Sequence, residues 1–144
     1  MEKIEFADIV RAYLRTVPQA AEVLRGIPEP QRLSFEAWPD EETDLFDFLP
    51  MAFMRPVLLP LLSEETPRPD LLAPCFDFIE GLAQNPNAYV QNALHFEVYE
   101  QFLRGREILL RARQFCGPVS GAALLKMLRE NYPATLEELT GDQT

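Results

Sequence analysis

Cysteine and histidine are almost missing from this chain: its 144 residues hold two thiols, Cys75 and Cys116, and one imidazole, His95. Two cysteines without a C-x-x-C pair give neither a disulfide framework nor a thiolate metal site. Their place at helical apolar positions makes them buried small hydrophobes. A single histidine supplies no Glu-x-x-His repeat for a di-metal bundle, so no metal is expected. Glycine is sparse as well, and G-x-x-x-x-G-K-[ST], G-x-G-x-x-G and G-x-S-x-G are all absent. The Gly117 to Gly121 cluster follows no strand, so no phosphate cradle and no cofactor are expected. No alternating apolar and polar run of useful length occurs, which argues against a sheet.

Long apolar runs are also lacking. The most apolar stretch, "PMAFMRPVLLPLL" from Pro50 to Leu62, is broken by Arg55 and three prolines. It falls short of the roughly 20 residues that a membrane crossing needs. The opening "MEKIEFADIV" has no basic segment before an apolar one, and its acids count against a transit peptide. A soluble, cytoplasmic protein without a membrane partner is the expectation.

What is abundant is negative charge, −10 in total, and it is regional. Residues 1 to 103 hold 18 Asp and Glu against 7 Lys and Arg; residues 104 to 144 hold 5 against 6. Such a field repels nucleic acid and attracts cationic partners. Arg104, Arg106, Arg111 and Arg113 crowd one helix, but without interleaved aromatics they are expected to pair with acidic neighbours in the same chain rather than with RNA.

Helical periodicity runs through most of the rest. In "IEFADIVRAYL", Phe6, Ile9, Val10, Tyr13 and Leu14 share one face, with Asp8, Arg11 and Arg15 toward water. Pro18 can open a second helix and Gly26 can close it with a left-handed cap. From Ile27 to Leu62 the prolines forbid a long uninterrupted helix, leaving short helices and turns. Asp70 to Gln84 is amphipathic, with Leu71, Leu72, Cys75, Phe76, Phe78, Ile79, Leu82 and Ala83 inward. Asn85 and Pro86 then cap a further helix after a connection so short that the pair must be an antiparallel hairpin. Gly117 and Pro118 stop and restart the chain, and Thr135 with Glu138 has capping-box spacing for a terminal helix, with residues 140 to 144 fraying. The fold class is all-α: a single domain over residues 1 to 144, about six or seven helices in antiparallel hairpins, as a bundle or short HEAT-like stack.

The helix "PNAYVQNALHFEVYEQFL" poses the main question, because polar residues interrupt a segment apolar enough to be buried. At an even helical pitch it shows two apolar faces, separated by a strip of Gln91, His95 and Asn92 and another of Glu97, Glu100 and Gln101. One reading makes Glu80, Asn92, Glu97 and Glu100 a structural polar seam between packed helices. The other makes Glu97 and Glu100 an acid/base pair, or joins Glu100, Glu80 and His95 at a metal. The seam is preferred, since His95 stands alone and the downstream P-C-x-x-C of zinc deaminases is absent.

The spacing of "FDFIE", "YVQNAL" and "VYEQFL", over Phe76 to Leu103, fixes Glu80, Asn92 and Glu100 together. It resembles a family of small bacterial α-helical domains found among the predicted immunity proteins of polymorphic toxin systems. The resemblance implies no reaction and marks the three residues as a helix-pair signature.

One more stretch bears on function. "FEAWPDEETDLFDF", residues 35 to 48, carries Glu36, Asp40, Glu41, Glu42, Asp44 and Asp47 without a cation, interleaved with aromatics that include Trp38. As a plain structural element it is a solvated helix start with core aromatics. As a partner-binding surface it steers a basic protein and anchors it through Trp38. The expected function is a non-enzymatic protein-binding domain, an immunity-type inhibitor of a basic toxin domain. A helical adaptor or chaperone is the alternative, and an enzyme with an unrecognised carboxylate site comes third.

Overall fold

The computed structural model describes residues 6–28 and 45–141. Among the described residues there are eight helices and no strand, so the class is all-α, with one helix more than the upper expectation. They are α1 (Phe6–Thr16), α2 (Ala20–Gly26), α3 (Leu45–Leu62), α4 (Pro69–Ala83), α5 (88–104), α6 (Arg106–Phe115), α7 (Pro118–Asn131) and α8 (Pro133–Gly141).

Ile9, Val10 and Tyr13 bury one stripe of α1 against α4, as the periodicity requires, while Asp8 and Arg11 pair on the outer face. Leu14, expected inward, is 43% exposed. α2 does not close on a left-handed glycine. Its cap is Ile27, in extended conformation at φ −76° and ψ 127°, because the ring of Pro28 bars the residue before it from the helical region.

α3 departs most from the sequence reading. It runs unbroken through Pro50, Pro56 and Pro60, since Leu49–Leu58 adopts the wider π form rather than the α form. A proline inside an α-helix lacks the donor to the carbonyl four residues back and its ring presses on that carbonyl. Widening the turn relieves the crowding. Inside this segment the hydroxyl of Tyr13 donates to the Ala52 carbonyl and ties α1 to α3. Tyr13 sits in a ring cluster with Phe48, Phe53 and Phe78, at centroid separations of 5.6, 5.7 and 5.3 Å. Each such buried ring contributes roughly 2–3 kcal/mol through burial. By length and composition α3 could cross a membrane; 56% of it is buried inside the protein.

α4 and α5 form the expected hairpin, with Leu72, Cys75, Phe76, Phe78, Ile79, Leu82 and Ala83 inward. The cap is Asn87 rather than Asn85: its side chain accepts from the Tyr89 N–H at 2.8 Å, while Asn85 folds the loop by accepting from the Asn87 N–H at 2.9 Å. α5 changes pitch twice, from α (Ala88–Leu94) through a π turn (His95–Tyr99) to a 3₁₀ end (Glu100–Arg104). Val90, Leu94, Val98 and Phe102 are buried on one side, as an even pitch already places them, and Tyr99 in the π turn is buried with them. Phe96 is left outside at 49% exposure, so α5 has one broad buried side and not two apolar faces.

Gly105, in extended conformation, separates α5 from α6, where a continuous helix was expected. α7 packs on α4 and on the middle of α5, and α8 packs back on α7. α8 starts at Pro133, two residues before the expected Thr135, because proline suits the first helical position.

Candidate functional site

Glu80 leaves α4 and reaches the start of α7. Its carboxylate accepts from the Val119 N–H and the Ser120 N–H, both at 2.8 Å, which satisfies two of the orphan donors of that helix end. Burial opposes its charge, but these backbone bonds, with the Ser120 and Gln84 side chains close by, outweigh burial and hold the carboxyl below the usual range. The approach is close enough to exclude a side chain at Gly117, whose Cβ would lie 2.6 Å from the Glu80 carboxylate carbon. Cys116, just before, is pushed up to about 11 by burial and is a protonated thiol at neutral pH. Cys75 is buried and pushed up to about 12 for the same reason.

Asn92 is exposed and does not join a seam. Its neighbour Gln91 does that work: its Nε2 donates to the carbonyls of Ala83 and Asn85 at 3.1 and 2.6 Å, and closes the C-terminal end of α4. The phase of the helix puts position 91 over the loop and position 92 one step out. Glu100 accepts from the Tyr132 hydroxyl at 3.1 Å and stands 3.4 Å from His95 Nε2, tying α5 to the junction of α7 and α8.

Glu97 faces the other way, toward α3. Burial raises its carboxyl above the usual range, Arg55 opposes the rise, and Asp47 and Glu100 add to it. Thus Glu97 and Glu100 look to different neighbours, and Glu80 lies with neither, at α7. On the same two helices two large apolar side chains are exposed, Phe96 on α5 and, at 37%, Met51 on α3.

The remaining charge near the α3–α4 loop is internally matched. Arg68 makes a two-pronged bond to Glu64 at 2.8 and 2.9 Å. Arg111 on α6 donates to the carbonyls of Leu62, at 2.9 Å, of Glu65, at 3.2 Å, and of Glu64. It also lies 3.7 Å from Glu107. A guanidinium is apt there, since its fork meets several carbonyls at the C-terminal end of α3. Arg104 bonds Gln101 at 2.9 Å.

Among the described residues no three His, Cys, Asp or Glu side chains converge as a metal site. A concavity of about 250 Å³ between the end of α5, α6 and α8 sets Arg106 and Glu138 on an apolar lining of Leu103, Leu109 and Leu139. Of the partner-binding surface read from residues 35 to 48, only Asp47 is described, and it is exposed. Glu36, Trp38, Asp40, Glu41, Glu42 and Asp44 lie outside the described residues. Sequence reasoning missed Phe96 and the cap role of Arg111; Gln91 it placed in a polar strip without its target at the end of α4. Only Phe96 left a signal, a phenylalanine between polar neighbours, and an even-pitch wheel placed it inward.

Compared with known proteins, the chain matches no family model, no curated protein and no solved structure. The likeness to immunity proteins therefore stands on the motif residues of α4 and α5 alone.

Proposed function

We propose that this chain is a non-enzymatic, cytoplasmic protein-binding domain that covers a basic partner, in the manner of an immunity-type inhibitor of a toxin domain. The observation that carries the reading is the uneven use of carboxylates. Glu80 and Glu100 are engaged in helix-to-helix bonds, and Glu64 is matched by an arginine. Glu97, by contrast, is partly desolvated beside two like charges, Asp47 and Glu100, with Arg55 the opposing cation. A cation from outside relieves that arrangement, and steering by such a surface speeds association. In the sequence, the stretch that ends at Asp47 adds Glu36, Asp40, Glu41, Glu42 and Asp44 with Trp38 among them, the composition that a surface for a basic partner calls for.

Co-expression with the product of the neighbouring gene tests the reading. The expected result is a stable complex whose association slows steeply with salt and in which the partner's activity is blocked. A partner that stays free, or keeps full activity when bound, would sink it.

A further inference from the structure

Phe96 is the most exposed large apolar side chain among the described residues. It lies on the outer side of the π turn of α5, and each flank is acidic. Glu97 turns toward α3, within reach of Asp47 and Arg55; Glu100, with His95, turns toward Tyr132. Its ring meets the His95 ring edge-on, at 4.7 Å and 69°, so one edge of the phenyl is braced by the protein. Met51 is exposed on α3, about one turn from both Asp47 and Arg55.

We propose that this crest is a docking site for an arginine side chain of a basic protein partner, with Phe96 as its anchor. The inference rests on the reading of the chain as a binder of basic proteins and adds where, and through which side chain, the contact is made. Arginine fits better than lysine. A guanidinium is planar and weakly hydrated, lies flat on a phenyl face, and still has donors for carboxylates at the rim. Glu97, next to Phe96 on α5, supplies such a carboxylate. An apolar ring in the middle of an acidic border also matches the composition of protein interfaces, where aromatics and arginine are enriched. Nucleic acid is disfavoured by the same carboxylates.

The test uses the full chain, labelled for amide NMR and titrated with octa-arginine and octa-lysine peptides at about 150 mM salt. Binding of the arginine peptide is expected to shift amides centred on residues 95–100 and around Asp47 and Met51. Phe96→Ala and Phe96→Leu are each expected to weaken it about tenfold. Octa-lysine is expected to bind less tightly and to be less affected. Because the ring is half exposed, helicity by circular dichroism stays unchanged in both variants, and Glu97→Gln gives an independent loss of affinity at constant shape. Binding centred elsewhere, or unchanged in Phe96→Ala, overturns the crest while the basic-partner reading stands. Phe96→Leu binding as wild type overturns the ring-face contact. Absence of binding to either peptide overturns the crest and the basic-partner reading together.

Discussion

Glu80 and Glu97 are the same residue type on neighbouring helices of one hairpin, and their surroundings push them in opposite directions. Glu80 meets two backbone N–H groups at the head of α7 and is held ionised. Glu97 meets a partly dry surface that raises its carboxyl above the usual range, with Arg55 opposing the rise and Asp47 and Glu100 adding to it. A carboxylate that completes a helix end belongs to the fold. One whose charge is poorly compensated is available to something outside it.

The sharpest break of this contrast is at Gly117. Gly117→Ala drives a methyl into the Glu80 carboxylate and is expected to cost about 2–3 kcal/mol in chemical denaturation. In a Glu80→Ala background the same substitution is expected to cost much less, since the obstructing group is gone; equal costs in both backgrounds would refute the contact. Arg111→Met comes next. It strands the carbonyls at the end of α3, with an expected loss of about 1–3 kcal/mol and faster amide exchange in residues 62–66.

Exchanging each carboxylate for its amide separates the two glutamates directly. Glu80→Gln is expected to destabilise by about 1–2 kcal/mol at neutral pH. Because the folded-state value of Glu80 is depressed, its contribution is present above the unfolded carboxylate range and is lost as pH falls through the folded value. Variant and wild type should therefore converge in acid. Glu97 has the opposite sign: its folded value is raised, so its charge becomes unfavourable as pH rises through the carboxylate range. Glu97→Gln is expected to leave stability unchanged or raise it by about 0.5 kcal/mol at neutral pH, with no difference in acid. Urea titrations at acid and neutral pH check both, and two curves of the same sign would erase the distinction.

How much of this was legible beforehand depended on whether the controlling contact was local. The inward face of α4 could be read because seven of its apolar residues follow one pitch, and that pitch holds. The face of α5 could not, because its pitch changes twice and the sequence does not mark a π turn. Asn85 and Asn87 both have capping chemistry, and only the path of the loop decides between them. Glu80 stood out in its motif, yet its target lies about 40 residues further on, across a helix packing that no spacing rule encodes. The prolines of α3 were misread for a related reason: the rule that they break helices assumes an α pitch, which Leu49–Leu58 does not have once it packs against the Tyr13 side chain.

That last point reaches into how the chain folds. The middle of α3 is tied to α1, since the hydroxyl of Tyr13, 39 residues before Ala52, donates to the Ala52 carbonyl inside the π segment. A helix that depends on a distant side chain cannot be an autonomous nucleus, so a peptide of residues 45 to 62 is expected to be poorly helical in water. α1 and α3 must then consolidate together, which makes the longest apolar segment of the protein exposed until its partner helix arrives and safe only once the two have docked.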